Sequence, residues 1–287
     1  MSTRVAIVGN CQAIGLAHCL RWLCPDIEVA DRGWGMVRTS EQGDEAAAGL
    51  RGFDIIVTQK ISNPLYGDLQ TERLRERFDR FVLFPKLVFT GFHPDLVKLW
   101  PAASPLGERH SALILAAYHM GLPPQRAAEL FNAYIYAVAG YFEEFAKAET
   151  YLLRAARFTS TPLDEQLPQW KQRGVFVYIP NHPAVWVLMS IAERLAAQLD
   201  LPVSPPEEEL PDPLAQSVIW PVYPEIARRL DVEGSLRFKP PGGPHKAAIE
   251  LDEMIERSYR TYAEYDPAEL QAPGVADLAA KLRAEGI

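Results

Sequence analysis

A cysteine at position 11 sits in the stretch RVAIVGNCQAIG, just after a short apolar run at residues 4–8 and before a helical-looking segment from about Gln12 to Leu23. A helix that begins directly after a parallel strand presents unbonded backbone N–H groups and the positive end of its dipole to whatever lies at the turn. A thiol held there has its thiolate form favoured, which makes it a nucleophile near neutral pH. The same N–H groups can hold the oxyanion formed when an acyl carbon is attacked. Free cysteine is also a common small core residue, so position alone leaves Cys11 open between the two. Cys19 and Cys24 lie further along the helix and at its exit, and read as core.

The second candidate is Asn181-His182-Pro183, which follows the apolar run VFVYI (175–179) and precedes a helix expected from about Ala184 to Leu199. Pro183 suits a first helical position. Histidine is the side chain best matched to proton transfer near neutrality, and the carboxyl ends of parallel strands are where such folds place their sites. A surface histidine before a proline has the same local sequence. On one sheet edge with Cys11, His182 becomes the imidazole of a thiol–imidazole couple. Ile179 stands three residues before His182, so an orienting carboxylate has to come from elsewhere.

Other residues are weaker candidates. Gln59 and Lys60 follow the run DIIVT (54–58), and Lys60 can meet a phosphate or carboxylate or simply face solvent. In Gly91-Phe92-His93-Pro94-Asp95, His93 and Asp95 can orient each other or a hydroxyl, or make a turn and cap a helix beginning near Leu96. Ser111, after His110, reads as the N-cap of the next helix. No two of the 6 histidines stand at i, i+4, and the 3 cysteines lack C-x-x-C spacing, so no metal site is expected. A G-x-G-x-x-G fingerprint starting at Gly9 needs glycine where Cys11 and Ile14 stand, and the nicotinamide reading fails there.

These residues need elements to position them. Residues 4–8, 27–30, 54–58 and 80–84 read as strands, with helical segments at 12–23 and in LQTERLRERF between the last two. Continuous apolar runs suit strands buried on both faces, and the alternation suits parallel units with crossover helices. Segments 111–121, 124–142 and 143–158 carry apolar residues at helical spacing. The expected organisation is an α/β domain over 1–200 with a helical insertion at about 106–158. A Pro-rich segment at 201–287, with helices near 247–262 and 274–285, then wraps it.

The 287 residues, 48% hydrophobic and 23% charged, support a sizeable core. A net charge of −8 argues against nucleic acid as a partner, since phosphate binding needs clustered Lys and Arg. No window is apolar enough to cross a bilayer, no signal peptide is evident, and unpaired cysteines suit a reducing cytoplasm.

The order GNCQ, TQKIS, GFHPD, RHS and NHP over roughly residues 4–190 resembles the WcbI-type capsular polysaccharide biosynthesis family, regarded as acetyltransferases that bind coenzyme A. That family is similar to the SGNH hydrolases and acetyltransferases, which implies an SGNH-like parallel sheet flanked by helices. Cys11 takes the position of their serine, and Ile179 departs from their Asp. The resemblance implies transfer of an acetyl group from acetyl-CoA to a sugar hydroxyl, without metal. Cys11 would serve as nucleophile or positioning group and His182 as general base. N–H groups at Cys11 and Gln12, with the amides of Gln59 or Asn181, would hold the oxyanion, with His93 orienting. Lys60, Arg109, His110 and Ser111 would meet the CoA. The partners implied are a small-molecule thioester and a sugar or polysaccharide acceptor, and a homo-oligomer is compatible with both. A Cys–His esterase or thioesterase, or a non-catalytic CoA- or glycan-binding protein, would use the same residues.

Overall fold

Val5, Ala6, Ile7 and Val8 have no exposed surface, so the first strand is covered on both faces. That is what a continuous apolar run requires of a parallel sheet. The computed structural model describes residues 2–100, 102–204, 210–243 and 246–287. His245 and the acidic residues 207–209 of the Pro-rich stretch lie outside the described residues. In chain order the first elements are β1 (Arg4–Gly9), α1 (Cys11–Leu23), β2 (Glu28–Gly33), α2 (Ser40–Ala48), β3 (Ile55–Thr58), α3 (Thr71–Arg77) and β4 (Phe81–Leu83). Next come β5 (Leu96–Lys98), β6 (Arg109–Ser111), α4 (Ala112–His119), α5 (Pro124–Ala128), α6 (Ala133–Ala139), α7 (Glu144–Ala156) and α8 (Gln166–Arg173). The chain ends with β7 (Val177–Ile179), β8 (His182–Pro183), α9 (Val185–Gln198), α10 (Pro224–Leu230), α11 (Leu251–Tyr262) and α12 (Val275–Ala284).

Two compact units divide these elements. The first comprises residues 1–88, 150–176 and 181–214; the second comprises 89–149, 177–180 and 215–287.

The first unit holds a four-stranded parallel sheet in the order β2-β1-β3-β4. Val5 stands in register with Val29 on one side and Ile55 on the other. The chain steps outward from β1 to β2, then back across to β3. The strand order therefore reverses between β1 and β3, and the loops leaving those two strands diverge at their carboxyl ends. Such a switch point leaves a crevice where α/β folds bind ligands. Ala6, Val8, Leu50, Ile56, Ile61 and Leu74 form an apolar cluster of this unit. Gly15 brings α1 close to α9: a Cβ there would stand 2.5 Å from Leu188 Cδ1.

The second unit pairs β5 with β6 antiparallel, Val97 opposite His110. Tyr136 stacks on Tyr141 and on Tyr223, with ring centroids 5.8 and 5.7 Å apart.

Three sequence expectations change. The helix expected from Leu96 is strand β5, because Lys98 and Leu96 find ladder partners in Arg109 and Ser111. The helical stretch 124–142 is broken in two, because Asn132 adopts an extended backbone and its side chain caps α6 at Ile135 N, 3.1 Å away. Pro183 lies in β8, and α9 starts at Val185 with its first N–H bound to Asp212 Oδ2 at 2.6 Å.

Candidate active site

Cys11 is the first residue of α1, half-buried, whereas Cys19 and Cys24 are fully buried. Asn10 is extended and serves as the helix N-cap, its Oδ1 accepting the Gln12 N–H at 3.0 Å. The Gln12 N–H offered to an oxyanion in the sequence reading is therefore taken up by the cap. No acidic residue occupies the first turn of α1, so nothing there opposes the positive end of the dipole. Gly9 has no room for a side chain: a Cβ would meet Ala13 Cβ at 2.9 Å and Gln59 Oε1 at 3.0 Å.

Two buried glutamines tie this turn together. Gln59 Oε1 accepts the Asn10 N–H at 3.1 Å, and its Nε2 donates to Gln12 Oε1 at 2.9 Å. Gln12 pairs with the peptide groups of Leu87, its Nε2 donating to Leu87 O at 2.6 Å and its Oε1 accepting Leu87 N–H at 3.0 Å. The second Nε2 hydrogen goes to Asn181 O at 2.9 Å. All four hydrogen-bonding positions of the Gln12 amide are then filled. Sequence reading named both glutamines but not this role, since their partners lie 47, 75 and 169 residues away along the chain.

The same bond draws Asn181 to the thiol: Asn181 Nδ2 donates to Cys11 Sγ at 3.9 Å. His182 follows immediately, and β8 packs against α1. His182 is buried, with 8% of its surface exposed. The strand before it, β7, is not a member of the parallel sheet. The carboxyl-edge argument for His182 is replaced by the Gln12–Asn181 tie. Lys60 is exposed just beyond β3, at the switch point.

His93, Arg109, His110 and Ser111 belong to the second unit. Here the buried carboxylate of Asp95 organises the packing. Its Oδ1 accepts Tyr141 OH at 2.6 Å and Leu113 N–H at 2.8 Å, and its Oδ2 accepts Tyr223 OH at 2.6 Å. Burial pushes the Asp95 carboxyl up, against hydrogen bonds from Ser111, Tyr141, Tyr223 and Leu113 that favour its charge. Both phenols are pushed well up, first by burial and then by the Asp95 charge. Ser111 Oγ accepts Ile114 N–H at 3.1 Å and so caps α4. His110 Nε2 faces Ala102 O at 3.2 Å and must carry the hydrogen, leaving Nδ1 to accept from Tyr262 OH at 2.7 Å. Burial pushes His110 down to about 4 and His93 to about 3. The family resemblance implies His110 and Ser111 as CoA contacts; both side chains have partners within the second unit, Ser111 as the helix cap that its neighbours predict. Arg109 is half-buried on β6.

A four-stranded parallel sheet flanked by helices defines a mixed α/β protein, with the half-buried thiol of Cys11 just after its first strand. The chain belongs to the family of the polysaccharide biosynthesis enzyme WcbI, whose family model matches residues 4–204. A solved structure of WcbI matches 99% of this chain and 96% of its own, with a TM-score of 0.73 at 16% identity. That structure is described as a novel polysaccharide biosynthesis enzyme, in a native form without a disulfide bond between CoA and a cysteine. No curated protein matches by sequence. Among the described residues, no helix is long and apolar enough to cross a membrane.

Proposed function

We propose that this protein moves an acetyl group from acetyl-CoA to a sugar hydroxyl of a polysaccharide or its precursor, in the cytoplasm, with Cys11 and His182 carrying the chemistry. The observation behind this reading is the 3.9 Å approach of Asn181 Nδ2 to Cys11 Sγ, which sets the residue beside His182 against the thiol. Membership of a polysaccharide biosynthesis family supports the sugar acceptor. The WcbI structure described by its CoA and a cysteine supports a thiol beside CoA. The residues fit such a ligand: the thiol is half-buried at a helix start with no acidic residue in its first turn, and Lys60 is exposed nearby for a phosphate.

Acetyl-CoA supplies the acetyl group already activated as a thioester. His182 takes the Cys11 proton, and Cys11 Sγ bonds to the acetyl carbonyl carbon while the carbon–sulfur bond to CoA breaks. His182 returns that proton to the departing sulfur. It then takes the proton of the acceptor hydroxyl, whose oxygen bonds to the acetyl carbon as the bond from that carbon to Cys11 Sγ breaks, and passes that proton to Cys11 Sγ. Asn181 Nδ2 and the Cys11 N–H would face the oxyanion in both steps, where a preorganised donor is worth about 3 kcal/mol of barrier.

The test is turnover and CoA affinity of Cys11→Ala. Turnover is expected to fall by several powers of ten, with CoA affinity kept and stability lowered by about 1 kcal/mol. A thiol-reactive probe should label Cys11 first in the native protein, since burial pushes Cys19 up to about 12 and raises Cys24 as well. More than about a tenth of wild-type turnover in Cys11→Ala would rule out the covalent step, leaving His182 to activate the sugar hydroxyl for direct attack.

A further inference from the structure

The first unit has a cavity of about 500 Å³ that the reaction above does not use, lined by Trp22, Trp170 and Trp186 together with Gln169, Arg173 and Glu193. Its size falls within the range of small-molecule sites, about 300–1,000 Å³. The three indoles come from the exit of α1, from α8 and from the first turn of α9. Trp170 is held rigid: it is buried, and its Nε1 donates to Ser190 Oγ at 3.0 Å, while Ser190 Oγ donates to Val187 O at 2.8 Å. Trp186 is half-buried with the Arg173 guanidinium over its ring, 4.4 Å from the centroid. Trp22 Nε1 is buried and has no hydrogen-bond partner among the described residues.

We infer that this cavity binds a sugar unit of the acceptor glycan, a subsite of the reaction proposed above and resting on that reading. The half-buried rings of Trp22 and Trp186, backed by the fixed Trp170, offer flat apolar surface that matches the C–H faces of a pyranose ring, and rigid rings limit the entropy lost on binding. Hydroxyls need both donors and acceptors around them; Gln169 offers both, Arg173 donates and Glu193 accepts. Among the described lining residues one cation, Arg173, stands with one carboxylate, Glu193, a balance that suits an uncharged sugar. Trp186 lies four residues beyond His182. Their Cα atoms are therefore within about 15 Å of each other, which fits a sugar unit distinct from the one whose hydroxyl reacts.

The test uses the full chain on an array of bacterial surface polysaccharides, with CoA binding measured separately by calorimetry. Wild type is expected to bind a subset of glycans. Trp186→Ala and Glu193→Gln should weaken that binding at least about tenfold, the equivalent of about 1.4 kcal/mol. Glu193 is exposed, so its variant should fold even if Trp186→Ala does not. CoA affinity should be unchanged in both. Absence of glycan binding by wild type, or full binding by Glu193→Gln and a folded Trp186→Ala, would overturn the subsite while leaving the Cys11 reading to its own test. Loss of CoA affinity in Trp186→Ala would assign the cavity to the nucleotide instead.

Discussion

Replacing Gln12 by methionine tests whether the buried amide network positions Asn181 and, through it, the thiol. Methionine keeps the length and volume of the side chain but none of its hydrogen bonds. Three buried groups lose their partner: Leu87 N–H, Leu87 C=O and the Gln59 amide. Asn181 O, which is only partly buried, can turn to water. Each buried group left unsatisfied costs about 1–3 kcal/mol, so the sum is about 3–9 kcal/mol before the methionine regains some apolar burial. A net loss of about 3 kcal/mol is a large share of the 5–15 kcal/mol typical of folded proteins. Urea unfolding followed by circular dichroism should show it as a lowered midpoint. Turnover, measured below the onset of unfolding, should fall as well, because the Asn181 backbone loses its tie to α1. A destabilisation under about 1 kcal/mol together with normal turnover would refute the reasoning, showing that Asn181 is held by other contacts.

The buried histidines of the second unit should make the protein sensitive to acid. His93 and His110 are held down to about 3 and about 4 by burial, against about 6.5 in an unfolded chain. The unfolded chain takes up each proton first, so their contribution is fully present above about pH 6.5 and is lost as pH falls toward the folded values. Each adds a slope of up to about 1.4 kcal/mol per pH unit. Asp95, pushed up by burial, acts in the opposite sense, its stability falling as pH rises through its folded value. His93→Phe compared with wild type cancels that common contribution. Urea midpoints at pH 6.5, 5.5 and 4.5 should fall less steeply in the variant, and parallel curves would contradict the account. Tyr223→Phe removes a phenol hydrogen bond to the buried Asp95 carboxylate and should cost about 1.5–3 kcal/mol in the same assay. A change under about 0.5 kcal/mol would contradict the view that the Tyr223–Asp95 hydrogen bond helps to hold this unit together.

Much of the frame was legible in the sequence because it is set locally. The runs at 4–8, 54–58 and 80–84 are too apolar to be anything but buried, and they became β1, β3 and β4 within a residue or two at each end. Asn10 before Cys11 carries a capping side chain, so the start of α1 beside the cysteine follows from neighbours in the chain. Ser111 as a cap was legible for the same reason. What the sequence could not state was partnership across distance. Strand β5 was hidden because three residues become a strand only when Arg109, His110 and Ser111 arrive as partners. His182 was expected on the edge of the parallel sheet, yet β7 is not a member of that sheet. Asn181 reaches Cys11 through one glutamine whose amide is shared by Leu87, Gln59 and Asn181. A glutamine has the same one-letter code whether its amide faces water or closes a buried network. Folding decides between them, because a buried amide must find all its partners or lose the burial.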